Sequence, residues 1–288
     1  MSDFIIFTDS SCDIAPETLR EWGVSFSSLT FTFDDSEKQF SNDEMSAVDF
    51  YNKMREGHAA KTSAVNVDSF MKSFEPYLSA GHDILYLGFS SGLSNTYNSG
   101  RIAAEQLRGS YPERKIIAVD TLSASAGFGL ILYLAVQKKE NGADIDETAA
   151  FVRDTVPHLC HWFTVDDLDY LKRGGRVSPT VAFIGKALGI KPVLHMDNEG
   201  HLINMSKVRG RKASLDALAD KYGQLAEDPE NGTVFISNGD CAQDVEYLSN
   251  VLHDRYNAKV KLVTYVGPVI GAHTGPGVLA LFFIGKER

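Results

Sequence analysis

The residues best suited to chemistry lie in the segment Ile84–Ser99, ILYLGFSSGLSNTYNS. Apolar residues run into Gly88, a loop of glycine and hydroxyl side chains follows, and helix-forming sequence begins at Asn95. Ser94 or Asn95 is a suitable N-cap, so the first N–H groups of the helix point to whatever lies above the loop. Those N–H groups and the positive end of the helix dipole favour an anion. Because the loop offers hydroxyls but no cation, a carboxylate suits it as well as a phosphate.

Other polar segments come directly after predicted strands. Asp9–Ser11, Ser90–Ser94 and Asp120–Ser123 each follow a short apolar run, and Lys61–Ser63 is predicted as a loop before a helix that begins near Asn66. In open parallel sheets, ligands bind outside the carboxyl ends of the strands. The pattern therefore predicts a hydroxyl-lined pocket at one edge of a sheet.

The elements that must position these loops alternate in type along residues 1–157. A strand, a polar loop and a helix recur, which predicts an N-terminal α/β domain with a doubly wound, mostly parallel sheet. Val24–Phe33 alternates roughly between apolar and polar residues and is predicted as a single strand.

The regular succession of strand, polar loop and helix is not continued over residues 158–288. Ile190–Met196 and His201–Val208 flank the turn sequence Asp197–Gly200, which predicts a β-hairpin, and Pro179–Leu188 is predicted to be helical. Hairpins and mixed connections predict a C-terminal α/β domain with a largely antiparallel or mixed sheet. A ligand is expected between the two domains.

Composition excludes several classes of protein. With 28 Lys and Arg against 38 Asp and Glu, the net charge is −10, which disfavours broad nucleic-acid binding. The widely spaced cysteines Cys12, Cys160 and Cys241 predict no disulfide framework and a cytoplasmic location, although the role of Cys12 stays open. The N-terminus does not resemble a signal peptide, and the longest apolar runs, such as Val278–Ile284, are too short to cross a bilayer. At most, transient contact with a membrane surface is expected.

An enzymatic alternative follows from Gly88–Gly92, GFSSG, which matches the G-x-S-x-G pattern of a hydrolase nucleophile elbow. Ser90 would be the nucleophile, and His273 comes late in the chain, as a triad histidine would. Only about two strands precede the segment, and no HGGG-type oxyanion sequence is present. No phosphate-binding glycine motif is present either. His158-Leu159-Cys160-His161 lacks a second ligand cluster, so no metal site is predicted.

His273 lies in the sequence GAHTGPG at 271–277. The glycines on both sides of His273 and the proline that follows predict a loop of defined conformation. This loop would close over the pocket of the first domain. Histidine can supply a proton or a positive charge near neutral pH, which suits an anionic ligand. An exposed loop histidine without a role is the alternative.

Basic residues are concentrated between Lys172 and Lys212. This segment has a net charge of +7 and leaves −17 for the rest of the chain; its basic residues are Lys172, Arg173, Arg176, Lys186, Lys191, Lys207, Arg209, Arg211 and Lys212. A basic surface on an acidic protein suggests docking to an acidic partner, a nucleotide or a membrane surface. A solvated face is the alternative.

The motifs together resemble the DegV family of bacterial fatty-acid-binding proteins. In chain order they are FTDSSCDI (7–14), KTSAV (61–65), GFSSGLSNTYNS (88–99), VDTLSASAGFGL (119–130), DLDYLKRGGRVS (167–178), IKPVLHMDNEGHL (190–202), KVRGRKASL (207–215) and VGPVIGAHTGPGVLAL (266–281). Each motif alone is weak, but together they cover nearly the whole chain in the order of the family.

The resemblance implies a two-domain carrier without catalytic activity, with one long-chain fatty acid buried between its domains and no other cofactor. It implies that Thr62 and Ser94 hold the carboxylate and that His273 lies near the same head group. Ser63 and Asn95 are auxiliary candidates, and Asn95 departs from the glycine that the family often has there.

The resemblance further implies that the bound acid is presented to a separate ATP-dependent fatty-acid kinase, whose acyl-phosphate product feeds phospholipid synthesis. The residues proposed to dock such a partner are Arg173, Arg176, Arg209 and Arg211. A sensor that binds a different small carboxylate is a further alternative.

Physical chemistry agrees with a fatty-acid ligand. A carboxyl group with an ordinary pKa near ~4.3 is ionised at neutral pH, and hydroxyls with helix-terminal N–H groups can bind it without a metal. A tail of roughly fourteen methylenes gains about 11 kcal/mol before ordering costs, at ~0.8 kcal/mol per methylene. Candidate tail-lining residues are Phe163, Phe183, Ile184, Leu188, Ile190 and Phe282, each of which could equally be ordinary core.

Overall fold

Short strands make up the sheets of this computed structural model, which describes residues 4–177 and 189–288. In chain order the strands are β1 (Phe4–Asp9), β2 (Val24–Ser27), β3 (Thr30–Phe33), β4 (Phe40–Ser41), β5 (Ala60–Ser63), β6 (Asp83–Gly88), β7 (Ile116–Asp120), β8 (Leu159–Thr164), β9 (Ile190–Met196), β10 (Leu202–Arg209), β11 (Val234–Asn238), β12 (Val260–Tyr265) and β13 (Leu279–Ile284).

Helices connect most of these strands. They are α1 (Pro16–Glu21), α2 (Ala47–Arg55), α3 (Val67–Ser79), α4 (Thr96–Ser110), α5 (Ser125–Glu140), α6 (Ile145–Thr155), α7 (Leu168–Gly174), α8 (Arg211–Leu225), α9 (Ala242–Tyr256) and α10 (Pro268–Thr274). Ser46, Asn66 and Asp144 cap three of these helices, since each accepts a hydrogen bond from a backbone N–H of the first turn, and the helix predicted to begin near Asn66 is present. The predicted helix Pro179–Leu188 lies outside the described residues. In the part of the chain that the structure describes, none of the helices has both the length and the apolar character needed to cross a bilayer.

The first sheet has the order β2-β1-β6-β7, and its strands are parallel. β6 is buried along its whole length, as expected for the central strand of a sheet covered on both faces. Its carboxyl end delivers Gly88 into the loop before α4. The predicted mostly parallel N-terminal sheet is confirmed.

The second sheet has the order β10-β9-β8-β13-β11-β12. β11 and β12 pair in parallel, whereas the other neighbours pair antiparallel. The predicted hairpin is present, with Gly200 N donating to Asp197 O at 3.0 Å. The predicted mixed, largely antiparallel sheet is also confirmed.

A third small sheet, β4-β3-β5, is antiparallel and contradicts two expectations. Val24–Phe33 is two strands in two sheets, because the chain turns after Ser27 and Leu29 N donates to Ser10 Oγ at 2.9 Å. Lys61–Ser63 is part of β5 instead of a loop. Thr62 therefore has a fixed backbone, paired with Phe31 of β3.

The glycine-rich segment 271–277 is a loop only from Gly275 onwards, and His273 itself lies in a helix. Pro268 occupies the first turn of the short helix α10, a position where its missing N–H costs nothing, and His273 lies in the last turn. Gly271 permits a close approach, since a Cβ there would lie 2.7 Å from Tyr51 Oη. Packing thus places a helix where the glycine and proline content predicts a loop.

Helix α5 follows the last strand of the first sheet and packs against β8, β11 and β13 of the second sheet. A Cβ on Gly127 would lie 2.6 Å from Phe282 and 2.7 Å from His161, so the glycine is required for this approach. The largest hydrophobic cluster includes Phe128 of α5 together with Phe163 and Phe282 of the second sheet. The division into domains at residues 157 and 158 stays a prediction.

Candidate functional site

A mostly apolar cavity of about 260 Å³ lies between the loop before α4, helix α10 and the inner face of the second sheet. Its apolar lining is Leu29, Ala64, Phe89, Leu93, Ala124, Phe163, Leu171, Met196, Leu202, Val266, Val269, Ile270, Val278, Ala280 and Phe282. The polar or charged lining is Thr62, Ser94, Asn95, Ser125, His161, Arg176, Ser237, His273 and Thr274. Few polar groups in an apolar pocket are typical of a site for a small amphipathic molecule.

Thr62 and His273 meet at the wall of this cavity. Thr62 Oγ1 lies 2.9 Å from His273 Nε2, within hydrogen-bonding distance, although the two residues are far apart in sequence. β5 holds Thr62 and α10 holds His273, and these two elements pack against each other. Both residues are half-buried, so they are shielded from solvent and still border the cavity.

Ser94 stands at the start of α4 and lines the same cavity. Its Oγ accepts a hydrogen bond from Thr96 N at 3.2 Å and lies 2.9 Å from Thr96 Oγ1. Asn95 occupies the N-cap position without a side-chain cap hydrogen bond, so the capping side chain is that of Ser94. The N-terminus of α4, where backbone N–H groups lack intrahelical acceptors, thus borders the cavity through Ser94 and Asn95.

The imidazole of His273 is neutral at physiological pH. Burial, together with the positive charge of Arg176, lowers its pKa from 6.5 to about 4. α7 crowds the ring, since a Cβ on Gly174 would lie 2.2 Å from His273 Nδ1. His273 therefore contributes hydrogen bonding, not charge, to the cavity.

Arg176 brings a positive charge to the cavity. The sequence analysis predicted only a role in partner docking for this residue. Its Nε donates to Leu93 O at 3.4 Å, just before Ser94, and the residue is exposed. Gly175, in a left-handed conformation with φ of 65°, ends α7 and turns the chain towards this loop. The Gly174-Gly175 pair is the signal that could have indicated this turn.

The two auxiliary candidates, Ser63 and Asn95, differ in whether they line the cavity. Asn95 is exposed and lines the cavity. Ser63 is also exposed but does not line the cavity, whereas its neighbour Thr62 does. This follows from strand geometry, because successive side chains of β5 point to opposite faces.

Comparison with known proteins then identifies the family. The sequence profile of the DegV family matches residues 3–286. The chain belongs to the DegV family. A DegV domain-containing protein of Clostridium perfringens is 44% identical over 289 residues, covering 100% of this chain and 99% of the relative. A DegV domain-containing protein of Streptococcus pyogenes is 36% identical over 285 residues, covering 99% of each chain.

Solved DegV structures share the fold. A DegV lipid-binding protein from Thermotoga maritima superposes with a TM-score of 0.87 at 29% identity, covering 99% of each chain. A DegV family protein from Thermus thermophilus, described for its fatty-acid binding, gives a TM-score of 0.89 at 27% identity, covering 99% of this chain and 100% of the other.

The geometry of this DegV chain does not support the hydrolase alternative. Ser90 is 0% exposed, its Oγ donates to Gly200 O at 2.9 Å, and it accepts from Gly92 N at 3.2 Å. The hydroxyl thus fixes the loop to the β9–β10 turn. His273, the predicted triad histidine, lies against Thr62 instead.

The basic segment is only partly free for a partner. Arg173, Arg176 and Arg209 are exposed. Arg211 instead lies within 2.9 Å of Asp244 and 3.6 Å of Asp166, and Lys191 lies 2.7 Å from Asp166. The charge of Arg211 is therefore compensated within the molecule, and its place in the docking set stays a prediction.

Only some of the predicted tail-lining residues line the cavity. Phe163 and Phe282 line the cavity, whereas Ile190 is outside its lining. Phe183, Ile184 and Leu188 lie outside the described residues. Sequence analysis missed Val266, Val269 and Ile270, which line the cavity from α10 and the residue before it. These apolar residues lie among glycines in a segment that was predicted to be a loop, so they were not considered as lining residues.

Proposed function

We propose that this DegV protein binds one long-chain fatty acid in the cavity, with its carboxylate at Thr62 and Ser94. The observation that carries the proposal is the convergence of Thr62, His273, Ser94 and Arg176 at one apolar cavity. A relative at 27% identity is described for its fatty-acid binding, which supports the same ligand here.

The head-group end suits an ionised carboxylate. The hydroxyls of Thr62 and Ser94 can each donate to a carboxylate oxygen, and hydrogen bonds to an ionised acceptor are stronger than neutral ones. The N-terminus of α4 and the guanidinium of Arg176 add positive potential. Neutral His273 can accept from or donate to Thr62, which orients the hydroxyl.

The apolar lining suits a hydrocarbon tail. Phe89, Phe163, Val269 and Phe282 are all buried, and the cavity continues from the head-group end to the inner face of the second sheet. Each buried methylene gains ~0.8 kcal/mol, so the tail supplies most of the affinity and the head group fixes the orientation.

We further propose that the protein is a carrier that presents the bound carboxylate to a separate ATP-dependent fatty-acid kinase. The exposed side chains of Arg173, Arg176 and Arg209 form the proposed docking face, and Arg176 also borders the cavity. A positive face on a protein of net charge −10 would orient an acidic partner at the end where the carboxylate lies. In this role the kinase supplies the chemistry, and Ser90 stays a structural residue.

The test is the double variant Thr62→Ala with Ser94→Ala, purified beside the wild type. We expect the variant to keep its circular dichroism spectrum and to lose co-purified long-chain acid. Ser91→Ala is the matched control, because Ser91 is an exposed hydroxyl of the same loop outside the cavity lining. Unchanged lipid content in the double variant would defeat the assignment of the carboxylate site.

A further inference from the structure

Helix α10, which carries His273, has no capping side chain of its own. Its N-cap residue is Gly267, and Gly271 N donates to Gly267 O at 2.8 Å. The backbone N–H groups before Gly271 therefore have no i→i−4 acceptor within the helix and require acceptors from elsewhere. Because α10 forms part of the cavity wall, the residue that supplies such an acceptor bears on the site.

Asn42 supplies one of these acceptors from a distant part of the chain. Its Oδ1 accepts from Val269 N at 2.8 Å, which is the hydrogen bond that an N-cap asparagine normally makes. Its Nδ2 donates to Ser10 O at 3.1 Å, so both ends of the amide have a partner and the side chain has one orientation. A Cβ on Gly267 would lie 2.7 Å from Asn42 Nδ2, so the glycine at the N-cap makes room for this side chain.

The backbone of Asn42 is held against another part of the cavity wall. Asn42 directly follows β4, and its backbone N donates to Leu29 O at 3.0 Å. Leu29 and Val269 both line the cavity, whereas Asn42 does not. Tyr51 Oη donates to Val266 O at 2.8 Å, but Val266 precedes the helix. Asn42 thus stands behind the wall and joins two of its parts, the segment before β3 and the first turn of α10.

The third sheet holds both ends of one turn of α10. Val269 and His273 are four residues apart, so they lie on one face of the helix and about 6 Å apart along its axis. Asn42, after β4, bonds to Val269, and Thr62 of β5 lies 2.9 Å from the imidazole. Because β4 and β5 both pair with β3, the sheet fixes the spacing of these two partners. A shift of the helix at Val269 would therefore move His273 relative to Thr62.

We propose that Asn42 is a positioning residue of the head-group site, because it caps α10 from outside the helix and so holds His273 against the Thr62 hydroxyl. The inference rests on the proposed function, since it affects binding only if Thr62 contacts the carboxylate. Asn42 does not line the cavity, so its effect on affinity has to pass through His273 and Thr62. A double-mutant cycle tests such a coupling.

The experiment measures the dissociation constant of delipidated protein for hexadecanoic acid in the wild type, Asn42→Ala, Thr62→Val and the double variant. We expect roughly tenfold weaker binding in Asn42→Ala, because a Thr62 hydroxyl that is no longer held has to be ordered on binding. In the Thr62→Val background, the same substitution should change the dissociation constant by less than about twofold, since no hydroxyl remains to be oriented. A full tenfold further loss in that background would overturn the inference.

Asp144→Ala is the matched control. Asp144 caps α6, where its Oδ1 accepts from Glu147 N at 2.9 Å, and it lies outside the cavity lining. Because Asn42→Ala and Asp144→Ala each remove one helix cap, both should lower the melting temperature. Only Asn42→Ala should weaken binding of hexadecanoic acid. Equal losses of affinity in the two variants would show that Asn42 stabilises the fold in general and would overturn the inference.

Measurements without a ligand separate failure of this inference from failure of the proposed function. By nuclear magnetic resonance, the pKa of His273 should rise from about 4 towards 6.5 in Asn42→Ala, as the ring leaves its buried position, and stay at about 4 in Asp144→Ala. An unchanged pKa in Asn42→Ala would overturn the inference.

The wild type gives a further test that needs no folded variant. Its Val269 N–H should be protected from hydrogen exchange, because Asn42 Oδ1 accepts from it. Exchange at the rate of an unstructured amide would overturn the inference. Wild-type protein that does not bind hexadecanoic acid, but shows this protection, would instead defeat the proposed function.

Discussion

At the scale of single residues, the hydroxyl of Thr62 is held in place before any ligand arrives. His273 Nε2 lies 2.9 Å from it, and β5 fixes its backbone. Ser94 is fixed in the same way by its hydrogen bond with Thr96 N. Side chains that are already ordered lose little conformational entropy on binding, which favours affinity for the carboxylate.

Thr62→Val keeps the shape of the side chain and removes the hydroxyl. Because a hydrogen bond to a charged group contributes about 1.5–3 kcal/mol, we expect long-chain fatty acids to bind roughly tenfold to hundredfold more weakly. Isothermal titration of delipidated protein measures this. Thr62→Ser should restore most of the affinity, and a Thr62→Val variant with wild-type affinity would remove Thr62 from the site.

His273 should make the ligand-free protein sensitive to acid. Its pKa is about 4 in the folded protein, against 6.5 for an ordinary histidine. Between these values the unfolded chain takes up a proton that the folded protein does not, so stability is present above about pH 6.5 and is lost as the pH falls towards 4.

His273→Gln cannot titrate and can still hydrogen bond to Thr62. Between pH 7 and pH 5, the wild type should lose about 2 kcal/mol more of its free energy of unfolding than this variant does. Urea denaturation at both pH values measures the difference. Other buried groups with shifted pKa values, such as His195 and Asp13, are common to both proteins and cancel. Equal losses in the two proteins would contradict a depressed pKa for His273.

At the scale of elements, the contact between α7 and α10 positions His273. Gly174 is the last residue of α7, and it allows the imidazole ring to lie directly against the helix backbone. The same turn delivers Arg176 to the cavity. A small residue in one helix thus determines where a side chain of another helix can lie.

Gly174→Ala should push His273 away from Thr62, since the new Cβ would lie 2.2 Å from His273 Nδ1. We expect a lower melting temperature and weaker binding of fatty acids. Gly109→Ala in α4 is the matched control, because nothing lies within 4 Å of its Cβ position, and alanine is favoured over glycine in helices by about 0.5–1 kcal/mol. Equal melting temperatures and affinities in the two variants would show that Gly174 does not position His273.

The sequence predicts elements well where the local signal and the packing agree. The helix predicted to begin near Asn66 is present, and the turn Asp197–Gly200 marks the hairpin. The prediction from sequence is wrong at β3, β5 and α10: β3 was joined to β2 as one strand, and residues of β5 and α10 were predicted as loops. Those elements owe their structure to partners distant in the chain, which no local pattern reveals: Thr62 pairs with Phe31, and α10 packs on α7.

At the scale of the whole molecule, the cavity is lined by the second sheet, by segments that follow strands of the first sheet, and by α10. Its walls include Phe89 after β6, Phe163 of β8 and Val269 of α10. The resemblance to the DegV family pointed to Thr62, Ser94 and His273, and all three residues line one cavity. The position of Arg176 at the cavity depends on how the elements pack, so it could not be read from the sequence.

The proposed docking face should be separable from the lipid site. Arg173→Glu with Arg209→Glu reverses two exposed charges outside the cavity lining. We expect weaker, salt-sensitive coupling to the kinase and unchanged fatty-acid affinity. Lys259→Glu, an exposed charge outside the basic segment, is the matched control and should leave both properties unchanged. A double variant that loses lipid binding as well would count against a separate docking face.

The most direct measurement is mass spectrometry of the small molecules that denaturation releases from freshly purified wild-type protein. The account predicts a long-chain fatty acid at close to one molecule per chain, and its near absence from Thr62→Ala with Ser94→Ala. Wild-type protein that releases no long-chain acid, and takes up none when it is supplied, would contradict the account.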